Sequence, residues 1–246
     1  MGSEIIVDGL VSDDPIAIIP PTISGLIIWA YFGSIFSSDN TNLAPGGAAF
    51  ANVGSGPEAI KENYIRCWYN AAIRSGWNRY YDGSDTAITI VAVGRTTGSS
   101  AATQALCGDA ALYITPKEIE LANGNVPSVS SKRAATADPY LTVTTTLGWR
   151  AYALTEPAAG VSGTSYIMDL TADTEATKVD TGVSSTPGAD NYISFGTVNG
   201  NSTGSRRMEI AAAVVVAGSQ LSKATITADI MPALRSTLAL RGITGV

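Results

Sequence analysis

The sequence predicts a mainly β protein: a β-sandwich of two antiparallel sheets, with an inserted helix near residues 57–75 and a C-terminal helical segment. Three observations carry this. Short β-like runs are separated by turn signals such as Asn123-Gly124, Pro187-Gly188 and Asn199-Gly200, which fits hairpins and does not fit alternating βαβ units. Residues 208–217 are apolar along nearly their whole length and rich in alanine and valine, as a central strand buried on both faces must be. With 246 residues and 45% hydrophobic content, the chain can close one full core as a single sandwich.

The elements follow in order. Residues 1–22 hold Ile5, Ile6, Val7 and the run 16–19, broken by Asp8, Asp13 and Asp14 and closed by Pro20-Pro21. They read as an N-terminal extended arm ahead of a sandwich over 23–246. Such an apolar arm pairs with a neighbouring subunit or lies as an edge strand on its own sandwich. Residues 23–30 form the first strand, and 37–56 are a loop rich in Ser, Asn, Gly and Ala. Pro57 suits the first turn of a helix. Ile60, Tyr64, Cys67, Trp68 and Ala71 share one helical side, so the helix over 57–75 is expected to cover one end of the sandwich. A turn at Gly83-Ser84 leads into a strand over 86–93, and further β-like runs span 104–108, 111–115, 118–122, 140–146, 149–155, 166–170 and 191–198. At the end, Ser222 suits a helix N-cap, Leu234 and Leu238 share a face, and Gly242 sits where a left-handed cap is wanted. Pro232 is expected to break or kink this segment into two short helices.

Charge and composition exclude several functions. Fifteen basic against twenty-one acidic residues leave a net charge of −6, with no Lys or Arg before Lys61. Such a surface repels a phosphate backbone, so no nucleic-acid partner is expected. The missing basic start also argues against a secretory signal. The apolar stretch 23–36, interrupted by Ser24, Gly25, Gly33 and Ser34, falls short of the ~20 residues that span a bilayer, so no membrane insertion is expected. The chain has no histidine, which removes Ser-His-Asp and Cys-His catalysis and histidine metal sites. Cys67 and Cys107 are too few for a disulfide scaffold and read as two buried thiols, with one bridge left open. No phosphate-binding loop, dinucleotide fingerprint or CxxC is present, so no cofactor is expected.

The stretch Trp149-Arg-Ala-Tyr-Ala-Leu-Thr155, followed by Ser165-Tyr-Ile-Met-Asp-Leu170, is one of three that carry a family likeness. The others are the opening Ile23-Ser-Gly-Leu-Ile-Ile-Trp-Ala30 and the closing strand and helix of 206–246. Together they resemble the concanavalin A-like, laminin-G-like jelly-roll modules of many phage tail proteins and secreted surface proteins. The resemblance implies a concanavalin-like jelly roll and a phage virion protein. The expected role is a tail-tip or receptor-binding module that attaches without catalysis to a host-surface glycan. The alternative is a structural virion protein, a capsid decoration or head-fibre subunit. The implied partners are other virion proteins through the arm, cell-surface polysaccharide, and copies of the chain itself, a trimer being common among the resembled tail proteins. Two positions depart from the family pattern: Asp169-Leu-Thr-Ala-Asp173 stands where an aspartate-glycine turn is usual, and Thr225 where a capping-box glutamate is common.

Three groups of residues bear chemistry. Glu118 and Glu120, two apart on a strand, share a face. Concanavalin-like glucanases carry glutamate, x, aspartate, x, x, glutamate, and a retaining glycosidase needs two carboxyls about 5–5.5 Å apart. Here the last position is Asn123, so the acid/base partner is missing and the pair reads as a solvated edge. Asp169, Asp173 and Glu175 offer oxygens of the type calcium takes, in a spacing that matches no loop motif, and no metal is assigned. The best ligand surface is Trp77, Arg79, Tyr80, Tyr81 and Asp82, because sugar C–H faces rest on aromatic rings while polar neighbours take the hydroxyls. Against this, Trp77 and Tyr80 also read as anchors of the preceding helix to the core, and Trp29 and Trp149 read as core. No catalytic residue is assigned, and no enzyme is expected.

Overall fold

A computed structural model describes residues 18–36, 38–68, 71–78, 86–97, 106–108, 112–117, 128–133, 141–158, 161–181, 192–196 and 207–246. In chain order the strands are β1 (Leu26–Tyr31), β2 (Phe50–Val53), β3 (Ala59–Ile60), β4 (Ile65–Trp68), β5 (Ala72–Asn78), β6 (Ile88–Thr97), β7 (Cys107–Gly108) and β8 (Leu112–Lys117). They continue as β9 (Ser128–Arg133), β10 (Leu141–Thr144), β11 (Arg150–Glu156), β12 (Ser162–Asp169), β13 (Thr174–Thr181), β14 (Tyr192–Phe195) and β15 (Arg207–Ala217). One sheet runs β13-β12-β11-β6-β15-β4-β3, with β1 also on β15, and the other runs β10-β9-β8-β7-β14-β5-β2. Every described pairing is antiparallel. The two-sheet sandwich is therefore the one that the sequence predicts.

The inserted helix over 57–75 is not formed. That stretch makes β3, β4 and the start of β5. Ile65 and Cys67 are fully buried while Arg66 is half-buried and Trp68 exposed, a period of two instead of 3.6. The apolar spacing of 60–71 is ambiguous between the two periods, and the sheet decides it. Half of β15, residues 207–210, needs a partner on one flank, and β4 supplies it in antiparallel register from Arg207↔Trp68 to Ile210↔Ile65. The other half of the same flank, 212–216, is taken by β1.

A register shift between Ile210 and Ala212 sets the character of β15. An extra residue in a strand reverses which side chains face which side beyond it. Before the shift Met208 and Ile210 point between the sheets, and beyond it Ala213 and Val215 do. On the opposite face Ala212, Val214 and Val216 form an apolar floor, whereas Glu209 on the near side of the shift is a buried charge. Strand β6 is two-faced in the same way, with Ile88, Ile90 and Ala92 inward and Val91 and Val93 outward. Each valine, isoleucine or methionine side chain so buried contributes about 1.5–3 kcal/mol. Phe32, Phe50 and Phe195 join the sheets, with ring centroids 5.0 Å apart for Phe32–Phe195 and 5.3 Å for Phe50–Phe195.

The outer floor is covered by the C-terminal helical run: α1 (Lys223–Thr225), a π-helical turn Ile226–Ile230 and α2 (Met231–Leu240). Ile226, Ile230, Met231, Leu234 and Leu238 pack on Trp29, Tyr31, Val91, Val93, Val214 and Val216. Trp29 is fully buried, as the sequence predicts. Ser222 caps the run by accepting the Thr225 N–H at 3.1 Å. The run is not broken at Pro232, which stands in the first turn of α2 directly after the π-helical turn. The Met231 N–H reaches back to the Ile226 carbonyl across the wide turn, which accommodates the proline without ending the helix. At the other end Gly242, at φ 75, lets the Gly242 and Ile243 N–H groups close on the Ala239 and Leu238 carbonyls at 3.0 and 2.9 Å, a left-handed cap with Ile243 and Leu238 both buried. Among the described residues no helix is long and apolar enough to cross a membrane. Of the N-terminal arm only 18–22 is described, and Ile18 packs against this outer core.

Cys67 and Cys107 are not bridged to each other, and both are buried between the sheets. Burial pushes the Cys67 thiol up from its ordinary range, so little of it is the reactive thiolate. We expect neither cysteine to react with iodoacetamide at pH 8 in the folded protein, and both to react in denaturant. Alkylation of Cys67 at the free-thiol rate in the native state would contradict the packing.

Candidate functional site

Where the helix begins, the outer face of the first sheet is not fully covered. A cleft of about 370 Å³ opens there, lined by Tyr166, Met168, Glu175, Gln220, Leu221, Ser222, Lys223 and Ala224. Its floor comes from β12, where Met168 is buried and Tyr166 half-buried against the outer core. Its far wall is the loop between β15 and the helix. That loop is fixed: Thr89 Oγ1 donates to the Ser219 carbonyl at 3.0 Å and accepts the Leu221 N–H at 2.9 Å, and Gln220 Nε2 donates to the Thr164 carbonyl. The near wall is the β12–β13 hairpin, tied across the cleft mouth by Lys223 Nζ, 2.6 Å from Asp173 Oδ1 and 3.0 Å from the Asp173 carbonyl.

The hairpin turn explains the departure at 169–173. Asp169 is fully buried, and its Oδ1 accepts the Thr171 and Ala172 N–H groups at 3.0 and 2.9 Å while Oδ2 takes the Thr145 hydroxyl. Asp173 occupies the left-handed conformation at φ 58, where a glycine would be usual and aspartate is tolerated. Asp169 is thus engaged in the turn and Asp173 with Lys223. Among the described residues no group of three His, Cys, Asp or Glu side chains gathers as a metal site.

No protein-family model matches the chain, and no curated protein sequence matches it. Solved structures do. A Trypanosoma rangeli sialidase in complex with sialic acid aligns with a TM-score of 0.55 at 13% identity, over 84% of this chain and 32% of that one. A mutant of the T. rangeli sialidase displaying trans-sialidase activity gives 0.54 at 15%, over 87% and 33%. The binding domain of botulinum neurotoxin DC in complex with SialylT gives 0.52 at 11%, over 88% and 52%. The chain is similar to a lectin-like β-sandwich of jelly-roll type. It spans about a third of the sialidase chains and half of the toxin chain, and at these identities the likeness is one of fold.

Of the ligand surface read from the sequence, Arg79, Tyr80, Tyr81 and Asp82 lie outside the described residues, as do Glu118, Glu120 and Asn123. Trp77 closes β5 half-buried, packed against the inter-sheet core, with its N–H on Ser75 Oγ at 3.3 Å. On the same sheet the Arg74 guanidinium lies over Tyr192, 4.8 Å from the ring centroid. Trp149, expected in the core, lies half-buried at the rim of the outer one, 5.5 Å from Tyr64.

The cleft residues were missed because they are assembled from distant segments, 166–175 and 220–224. Glu175 was visible as an oxygen donor and Tyr166 as a strand residue. Nothing local in 218–222 marks it as a wall, since the wall exists only through Thr89 and Thr164.

Proposed function

We propose that this chain is a non-catalytic carbohydrate-binding module that holds a saccharide in the Tyr166–Gln220 cleft. The observation that carries the proposal is the cleft itself: a ring and a thioether beside polar groups, on walls fixed before any ligand arrives. A sugar presents C–H faces for Tyr166 and Met168 and hydroxyls for the Glu175 carboxylate and the Gln220 amide oxygen. Pre-formed walls reduce the ordering cost of binding. Two of the solved structures of like fold are complexes with sialic acid and SialylT, which supports a glycan as the ligand class.

The finer setting, attachment of a phage virion to host-surface polysaccharide with the N-terminal arm joined to other virion proteins, is supported by the family resemblance of 23–30, 149–170 and 206–246. Within that setting the Trp77–Asp82 stretch is a second proposed contact.

The test is binding of the purified protein to an array of immobilised glycans, followed by titration of the best ligand. Tyr166→Leu and Glu175→Ala are each expected to weaken binding about tenfold, the equivalent of ~1.4 kcal/mol, with thermal unfolding little changed for the exposed Glu175. Trp77→Ala serves as the comparison. Loss of binding in Trp77→Ala alone would move the site to the end of β5, and absence of any glycan ligand would favour a structural role.

A further inference from the structure

We infer that the Arg66–Glu209–Arg95 cluster, on the outer face of the first sheet before the register shift in β15, is a second binding site that takes the anionic group of an acidic saccharide. It is separate from the cleft and does not depend on it. Glu209 stands opposite Arg66 on β4 and Arg95 on β6. Its side chain is wholly buried, while those of the arginines are 30% and 34% exposed. Arg66 donates from Nε and Nη2 to Oε1 at 2.9 and 2.5 Å, and Arg95 from Nε to Oε2 at 2.6 Å.

One buried carboxylate is neutralised by one guanidinium. The second leaves a positive charge over, on a chain whose net charge is −6. Each guanidinium has five N–H donors in a planar fork. Glu209 takes the Nε of Arg95, and among the described residues neither Nη group of this one-third-exposed side chain meets an acceptor. Because Glu209 fixes the Nε edge, the outer edge is oriented without a ligand, and bidentate pairing with a carboxylate or sulfate is the geometry that such an edge favours. The surroundings add a saccharide surface: the Arg95 guanidinium lies 4.7 Å from the Trp149 ring centroid and 5.9 Å from that of Tyr64. A sugar whose acid group meets Arg95 would bring its ring to these aromatics. The neighbouring Arg207 lacks the surplus, since Glu58 pairs with it at 2.8 Å and holds it over Trp68.

The probe is free glucuronate, followed by the indole N–H signal of Trp149 and the Nε–H of Arg95 in a nuclear magnetic resonance titration at fixed ionic strength. Glucuronate should shift both signals where glucose shifts neither, and inorganic sulfate should shift Arg95 far more than Trp149. Arg95→Gln should weaken glucuronate binding at least tenfold, with Glu209 still held by Arg66 so that the fold survives. Arg207→Gln should leave it unchanged. Equal effects of glucose and glucuronate, or glucuronate shifts at Trp149 that persist in Arg95→Gln, would overturn the site. Sulfate acting on both signals as strongly as glucuronate would overturn its saccharide character. Because Tyr166 and Glu175 report the cleft independently, loss of either site leaves the other readable.

Discussion

Arg241→Met is expected to destabilise the protein by about 3–5 kcal/mol, the cost of leaving a buried charge without its partner. For a chain of this size that corresponds to a melting point lowered by roughly 6–20 °C. The Arg241 side chain is fully buried and that of Asp39 is 2% exposed. Both Nη groups meet the Asp39 carboxylate, Nη1 at 3.0 Å, and Nη1 also lies 3.4 Å from the Phe32 carbonyl. The rings of Tyr31 and Phe36 flank the guanidinium at 5.0 and 4.9 Å. Asp39 itself accepts the Ile35 and Phe36 N–H groups at 3.1 and 3.3 Å. Methionine would keep the packing and remove the charge, so Asp39 would be left ionised in an apolar shell. Adding Asp39→Asn to that variant should recover part of the loss, because the amide oxygen can still accept those N–H groups. Urea unfolding of the single and double variants measures this, and a single variant within ~1 kcal/mol of the parent would show that the pair contributes little.

That pair fastens the end of the helix far from the cleft. It joins the last turn of α2 to the loop after β1, and Asn63 Nδ2 donates to the Arg241 carbonyl at 3.1 Å, which adds the β3–β4 hairpin. The Tyr31 hydroxyl reaches the Ala233 carbonyl at 3.4 Å. The helix is thus fastened near its C-terminal end by polar groups and along its length by the outer core. Its first turn, which forms one side of the cleft, is held by the Lys223–Asp173 pair and by the preceding loop, where Thr89 Oγ1 bonds the Ser219 carbonyl and the Leu221 N–H. A ligand held between Tyr166 and the helix start therefore meets a wall already tied to the sheet.

Legibility in the sequence followed the range over which each signal acts. The valine-rich run of β15, the cap at Ser222 and the left-handed Gly242 depend on neighbours a few residues away, and all three were readable. So were the strands around 88–93, 150–155 and 192–195. The stretch 57–75 was not, because Ile60, Tyr64, Cys67 and Trp68 satisfy a helical spacing, and only the open flank of β15, some 140 residues further on, demands a strand. Trp149 was misplaced for the same kind of reason: its apolar neighbours mark a strand, but its position beside Tyr64 and Arg95 is a property of the sheet. Both proposed sites combine residues from separate strands, and neither leaves a motif.

Gly196→Ala is the second large effect expected, about 2–5 kcal/mol, from two sources that can be separated. Gly196 follows β14 at φ 89, where an alanine costs about 1–2 kcal/mol in backbone strain. An added Cβ there would also stand 2.1 Å from Cys67 Cβ and 2.6 Å from its Sγ, and overpacking of a well-filled core typically costs 1–3 kcal/mol. Cys67 is on β4, so this is a place where the two sheets approach too closely for any side chain on the β14 side. Gly218, at φ 77, has open space around the same position, and Gly218→Ala carries the strain without the contact. It should lose about 1 kcal/mol, and the difference between the two variants measures the steric part. Equal losses in both would mean that the sheets move apart freely at Gly196. The larger loss at Gly196 would show that the spacing between β14 and β4 is fixed, and with it the half of β15 on which the arginine cluster stands.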